Sequence, residues 1–205
     1  MYELLVLSWL MYFPLHAYLI IKISNDTIGP WEKISQGSLS ALLKKLAAKG
    51  LITEADPASV PFPSARTTRS WAITSQGRER FFQLMLDTAA NPGNYQKIFH
   101  IIYLHMHLLS PDDQLYLYSH YLRYGQEILR HLTTEAVDFD EKQDKGGGDP
   151  FNTAVLELMA HTREQWQLEM GWARYHYEKT LTQLKAEQSL ISKGEKRPCN
   201  SNKEV

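Results

Sequence analysis

Three features of the sequence predict a mainly α-helical chain with one small β-hairpin, arranged as two domains. Apolar residues recur at helical spacing through most of its length. The stretch Pro57 to Pro63 holds three prolines in seven residues, which rules out a central strand, and two short β-compatible runs flank it. Beyond residue 95 the pattern becomes long helical stripes, interrupted by the polar, glycine-containing segment Asp138 to Asp149.

Composition sets the class. The chain has 205 residues, 43% hydrophobic and 22% charged, enough apolar surface for a buried core. Its net charge of −1 argues against a protein basic all over, but residues 1–80 carry +3 and the remainder −4. The single cysteine, Cys199, can form no internal disulfide, which fits a reducing cytoplasm. Leu4 to Ile21 is largely apolar, yet Ser8, Pro14 and His16 interrupt it and Glu3 precedes it in place of a basic segment. Two consecutive buried helices are expected there, not a membrane anchor.

Taken in order, Glu3 to Phe13 forms the first helix, buried through Leu4, Leu5, Leu7, Trp9 and Leu10. Pro14 ends it and starts a second helix running to about Ser24. Asn25 to Pro30 is turn chemistry, with Trp31 and Ile34 packing beneath the next helix. In that third helix Leu39, Leu42, Leu43 and Leu46 form the apolar stripe, Ser38 is the N-cap and Gly50 the C-cap. Strands fall near Leu51 to Glu54 and Arg69 to Ile73. Three short helices followed by such a hairpin make a winged helix-turn-helix. Thr74 caps a fourth helix through about Ala89, and Asn91-Pro92-Gly93-Asn94 breaks the chain, so residues 1–90 form the first domain.

Residues 95–191 form a helical second domain. Tyr95 to Leu109 is one helix; Ser110, Pro111, Asp112 and Asp113 open another that runs to about Thr134. Asp138 to Asp149 is a connector, its glycines lacking the Gly-Lys-Ser/Thr ending of a phosphate-binding loop. The last helix, Phe151 to Ile191, keeps one stripe throughout: Val155, Met159, Thr162, Trp166, Met170, Ala173, Tyr177, Leu181 and Leu184. At 1.5 Å per residue it spans roughly 60 Å, too long to bury its stripe within so small a domain. A homodimer through these helices is the expected solution. The chain turns polar from Ser189, and residues 192–205 are expected to be a disordered tail.

Specific residues also carry a resemblance. His16, Tyr18 and Ile20, then Gly37, Ser38, Leu39, Leu43, Lys45, Leu46, Gly50, Leu51 and Ile52, then Trp71, Ile73, Thr74 and Gly77 agree in order and spacing with motifs of the PadR family of winged-helix transcriptional regulators, which the chain resembles. Ser40 and Ala41 stand where that family usually has Tyr-Pro, Ala17 replaces its glycine and Leu19 its glutamate. The family's tyrosine helps hold the DNA backbone, so the docking contact differs here. The region around Leu168 to Lys179 resembles the last helix of the family's C-terminal domain more loosely.

The resemblance implies a cytoplasmic regulator of transcription that binds double-stranded DNA. Gln36, Ser38 and Ser40 at the start of the third helix can reach base edges or phosphates, while Lys44, Lys45 and Lys49, with Arg66 and Arg69 on the wing, hold phosphates. Tyr18, in a matching motif, joins this set. No arginine suited to bidentate guanine reading lies in the helix. The reading is a repressor working as a homodimer on a pseudo-palindromic operator, its recognition helices about 34 Å apart. Some regulators resembling this one release DNA on binding planar aromatic molecules such as phenolic acids; Phe99, Tyr103, Trp166, Trp172 and Tyr175 are candidates to line such a site.

Seven histidines lie beyond residue 99, and His100 and His107 are expected to share a helical face, but no HExxH or paired Cys/His motif appears. Neither a metal nor a cofactor is expected, nor is catalysis, for the folded region has no nucleophile elbow or reactive cysteine. The rival readings are a winged-helix protein-interaction module and a small-molecule-binding protein, each having lost DNA binding.

Overall fold

The computed structural model describes residues 1–29, 33–61, 69–89, 91–141 and 149–194. The chain divides into two compact units, Met1–Leu108 and Leu109–Val205. Among the described residues no helix is long and apolar enough to cross a membrane.

The first unit runs α1 (Tyr2–Leu10), β1 (Leu15–His16), α2 (Ala17–Ile28), α3 (Gln36–Ala48), β2 (Ile52–Ala55), β3 (Ser70–Ile73), α4 (Ser75–Leu86) and α5 (Tyr95–Leu104), with 3-10 turns at Pro57–Ser59, Pro92–Asn94 and Met106–Leu108. The sheet is antiparallel in the order β1-β3-β2. Ile52 faces Ile73 and Ala55 faces Ser70 across the wing hairpin, while Leu15 faces Trp71 on the other edge of β3. This is a winged helix-turn-helix, as the sequence predicts.

Its core explains why α1 carries so little polar surface. Leu4, Leu5, Val6, Leu7 and Ser8 are all buried in succession, so the helix is enclosed on nearly every side. The one polar member, Ser8, satisfies its hydroxyl by donating to the Leu5 carbonyl at 2.8 Å. Phe81 and Met85 of α4 and Phe99 and Ile102 of α5 are likewise shielded from solvent. Glu3 receives a 2.8 Å hydrogen bond from Arg80 Nε, joining the first turn of α1 to α4.

Several predicted boundaries move. Pro14 does not start the second helix: Leu15 and His16 form an edge strand first, too short to leave a periodic signal. His16 Nδ1 lies 2.9 Å from Ser70 Oγ, and Ala17 donates to the Arg69 carbonyl, which carries the pairing to the start of α2. The predicted turn from Asn25 is helical through Ile28, because Thr27 returns its hydroxyl to the Ile23 carbonyl and Asn25 has a partner beyond the helix. Pro30 and Trp31 lie outside the described residues. The first helix ends at Leu10 and the fourth at Leu86, each about three residues early.

The predicted helix Tyr95 to Leu109 breaks at His105, whose amide turns back to Ile102 and leads into the 3-10 turn. His100 and His107 therefore do not share one helical face. The sequence places the domain division at Asn91–Asn94, whereas α5 belongs to the first unit in the structure. His105 is the reason in part: buried at 1% exposure, it packs edge-on to Trp9 of α1 and Phe81 of α4.

The second unit is a pair of helices, α6 (Pro111–Glu141) and α7 (Pro150–Gly194). Ser110 accepts from the Asp113 amide at 3.2 Å and donates to its carboxylate at 2.7 Å, a reciprocal cap for α6. The helix continues seven residues past Thr134 and absorbs the start of the expected connector; residues 142–148 of that connector lie outside the described residues. The pair runs antiparallel, with Tyr118 stacking on His176, Tyr121 donating to Glu169 at 2.7 Å and Gly125 close against Met170. The sequence expects the α7 stripe to need a second copy for its cover, whereas Trp166, Met170 and Ala173 are buried within this one chain, Trp166 and Met170 against Tyr121 and Gly125 of α6. The helix persists to Gly194, into what the sequence read as polar tail; residues 195–205 lie outside the described residues.

Burial, with the neighbouring His107 second, holds the His105 imidazole down to about 4 from its ordinary 6.5. In that window the unfolded chain binds a proton that the native chain refuses. Stability is therefore expected to fall as pH is lowered from about 6.5 to about 4, by no more than ~1.4 kcal/mol per pH unit from this group. His120 and His176, depressed chiefly by burial, act with the same sign. Urea midpoints at pH 7, 5.5 and 4.5 should show the loss, with a shallower trend in His105→Gln; parallel trends in both proteins would contradict it.

Candidate nucleic-acid interface

α3 divides its residues cleanly. Leu39, Leu43 and Leu46 are buried, at 3% exposure or less, and Leu42 is half-buried. Gln36, Ser38, Ser40, Lys44, Lys45 and Lys49 are all exposed. The apolar stripe thus fixes the roll of the helix, and fixing the roll sets the polar and basic residues outward.

Both ends of α3 are fastened. The N-cap is Ser35, not Ser38: Ser35 Oγ accepts from the Ser38 amide at 3.0 Å, and Ser38 is the third helical residue. One residue earlier, the Asn25 side chain of α2 grips the Ile34 backbone in both directions. Its Oδ1 accepts from the Ile34 amide at 2.7 Å and its Nδ2 donates to the Ile34 carbonyl at 3.2 Å. This amide pair sets the angle at which the chain enters α3.

At the far end Gly50 adopts φ +70°, a left-handed conformation that costs glycine little. The Gly50 amide then bonds to the Ala47 carbonyl and the Leu51 amide to the Leu46 carbonyl, closing a Schellman motif. Thr74, leaving β3, secures the same turn. Its hydroxyl stands 2.6 Å from the Gly50 carbonyl and 3.1 Å from that of Leu51, while accepting the Gly77 amide as the α4 N-cap. Gly77 passes so close that a Cβ there would collide with the Leu51 carbonyl oxygen and come within 2.8 Å of the Ile73 side chain.

Arg69 is exposed at the base of the wing, its Nε 3.9 Å from Glu54 Oε1 on the paired strand. Both side chains are well solvated, so this pair contributes little and leaves the guanidinium available. Arg66 lies outside the described residues. Tyr18 is 49% exposed near the start of α2, where it lines an open hollow of about 540 Å³ together with Ile21, Lys22, Asn25, Asp26, Gly29 and Lys33. Lys22 and Lys33 were not singled out by sequence; only the one-turn spacing of Lys22 from Tyr18 could have marked it.

The aromatic candidates fall in different places. Phe99 is buried in the first unit against Tyr95, and Tyr103 is half-buried there. Trp166, in the second unit, packs on Tyr121 and Tyr124 at 6.1 and 5.6 Å. Trp172 and the exposed Tyr175 both lie against His176. A hollow of about 130 Å³ between α6 and α7 is lined instead by Leu132, Ala136, Leu156, Met159, Ala160 and Arg163.

No protein-family model matches the chain, and no curated protein does. Among solved structures it is similar to PadR of Bacillus subtilis in complex with operator DNA, at 16% identity and TM-score 0.38, over 87% of this chain and 98% of that one. The same protein in complex with p-coumaric acid gives 17% identity and TM-score 0.36, over 87% and 97%. The PadR-like regulator BC1756 of Bacillus cereus gives 16% and 0.35, over 89% and 99%. Likenesses this distant decide nothing about the present chain, whose reading rests on its own residues.

The cap assignment has a direct test. Ser35→Ala should cost about 1 kcal/mol in urea unfolding and Ser38→Ala markedly less. The reverse order would restore Ser38 as the cap. Gly77→Ala should be worse than either, by about 1–3 kcal/mol, because the obstructing atom is backbone and cannot rotate aside.

Proposed function

We propose that the protein is a DNA-binding regulator of transcription, acting as a homodimeric repressor on a pseudo-palindromic operator. The observation that carries this reading is α3: a helix fastened at both ends, with its leucines inward and Gln36, Ser38, Ser40, Lys44, Lys45 and Lys49 outward. A helix held so rigidly can enter a major groove without paying further ordering entropy. The small side chains at its N-terminus allow close approach of the dipole end to phosphate or base edges. Lys44, Lys45 and Arg69 supply sequence-independent attraction, and specificity comes from the polar residues and from DNA shape.

The dimer reading rests on α7. Besides the stripe against α6, the helix exposes Phe151, Leu158, Leu168 and Tyr175 at 62–79%. Phe151 and Leu158 are seven residues apart, as are Leu168 and Tyr175, a spacing suited to a second helix packing alongside. A second copy of the chain is the occupant that gives the two winged helices a fixed separation. A small aromatic effector acting on the second unit would change that separation and lower operator affinity. The absence of a tyrosine at Ser40 favours the rival reading, an interaction module that has lost DNA binding.

Fluorescence anisotropy across a salt series separates the two. Eight phosphate contacts per dimer, including Arg66 in each chain, give a slope of log affinity on log salt near roughly −7, with preference for DNA from upstream of the protein's own gene. Lys44→Ala with Lys45→Ala should flatten the slope by about 0.9 per contact removed while leaving the preferred sequence unchanged. A flat slope without preference would establish the interaction module. Leu168→Glu combined with Tyr175→Glu should give a monomer by light scattering and reduce operator affinity to that of one half-site; a dimer of unaltered mass would place the interface elsewhere.

A further inference from the structure

Three donor atoms meet just beyond the end of α1. Tyr12 Oη stands 2.9 Å from His105 Nδ1 and 3.2 Å from His107 Nε2. The two histidines flank Met106 where α5 gives way to the 3-10 turn, so the break in that helix is what aims both rings at one phenol. All three residues belong to the first unit.

As a hydrogen-bonded chain the phenol donates to one ring nitrogen and accepts from the N–H of the other. Whichever tautomer His105 adopts, its Nε2 remains buried without a partner among the described residues, a cost of about 1–3 kcal/mol. The geometry matches something else. Ligand atoms bound at about 2.0–2.1 Å lie about 2.9 Å apart when adjacent at right angles and about 3.3 Å apart at the tetrahedral angle. Both separations from Tyr12 Oη fall in that interval, which hydrogen bonds share.

We propose that Tyr12 Oη, His105 Nδ1 and His107 Nε2 form a site for a late first-row divalent transition ion of the copper(II) and zinc(II) class. No group of three or more His, Cys, Asp or Glu side chains among the described residues is placed to hold a metal; this site reaches three donors only because a phenol is one of them. A neutral His105 imidazole offers a lone pair without having to release a proton. Its dry Nε2 keeps the remaining ring hydrogen, which leaves Nδ1 as the ligand. Tyr12, 41% exposed, and the exposed His107 open the site to solvent, where water completes the coordination. Binding as phenolate releases the Tyr12 proton to solvent. The nitrogen-rich donor set favours copper(II) over zinc(II). The bound ion would staple the end of α1 to the turn after α5, segments more than 90 residues apart in sequence.

The test is a titration of the full-length, tag-free protein with copper(II) chloride. Saturation at one ion per chain is expected, with a visible phenolate-to-copper charge-transfer band and quenching of tryptophan fluorescence, since Trp9 lies 5.2 Å from the His105 ring. Tyr12→Phe should abolish the band, and both Tyr12→Phe and His107→Ala should weaken binding at least tenfold. His161→Ala, on the exposed surface of α7, should change neither. Zinc(II) should raise the thermal midpoint of the parent and of His161→Ala but not of the other two variants. Unfolding curves without metal establish that each variant is folded. Binding of equal affinity and stoichiometry in Tyr12→Phe and His107→Ala, or the absence of the band, would show an adventitious ion only and overturn the proposal.

Discussion

The winged helix depends on one crowded junction. Where α3 ends, the Thr74 hydroxyl stands 2.6 Å from the Gly50 carbonyl, 3.1 Å from the Leu51 carbonyl and 3.0 Å from the Gly77 amide, and bonds to all three. The Thr74 amide adds a further bond to the Leu51 carbonyl. The C-terminus of one helix, the exit of a strand and the N-terminus of the next helix are thereby tied by one threonine. Backbone groups that would otherwise be orphaned at two helix ends find partners at the same point. The orientation of α3 relative to the wing is consequently a property of covalent geometry and hydrogen bonds, with the leucine stripe supplying the free energy beneath it.

A different constraint shapes the second unit. Two antiparallel helices cannot bury a core on their own unless they approach closely, and Gly125 is where they do: a Cβ there would come within 2.8 Å of Met170 Cγ. Around this contact Trp166, Tyr121 and Tyr124 fill the space, with the Tyr121 hydroxyl donating to Glu169. The aromatic wealth of the C-terminal half is thus used in good part as packing, the function that large amphipathic rings serve most readily. The remaining apolar surface of α7, at Phe151, Leu158, Leu168 and Tyr175, faces outward.

How much of this could be read from the sequence follows from the length of each signal. The α3 stripe, the Gly50 turn, the Thr74 cap and the α7 stripe each involve residues repeated or fixed in spacing, and each was legible. The edge strand Leu15–His16 was not, because two residues have no period. Ser35 and Ser38 are both serines near the start of the leucine repeat, and only the bond from the Ser38 amide to Ser35 Oγ distinguishes the cap. The continuation of α2 through Asn25 depends on a side chain whose partner, Ile34, is nine residues away, and long-range pairs leave no local trace. The same holds for the site. Exposure of the α3 lysines follows from periodicity, whereas Lys22 and Lys33 meet only around a hollow, and Tyr12 meets His105 across most of the first unit. The domain division moved for a related reason: α5 carries the buried His105 into the first core, and a histidine in sequence does not announce that it will be enclosed.

The last turns of α7 have a consequence of their own. Residues 185–190 are exposed without exception, Leu190 at 70%, beyond the part of the helix that α6 covers. A helical segment of that length gains almost nothing from propensity alone and persists by propagation from the packed turns before it. The order of this end is therefore set by how firmly Thr180 and Leu184, the last covered residues before it, are held in place.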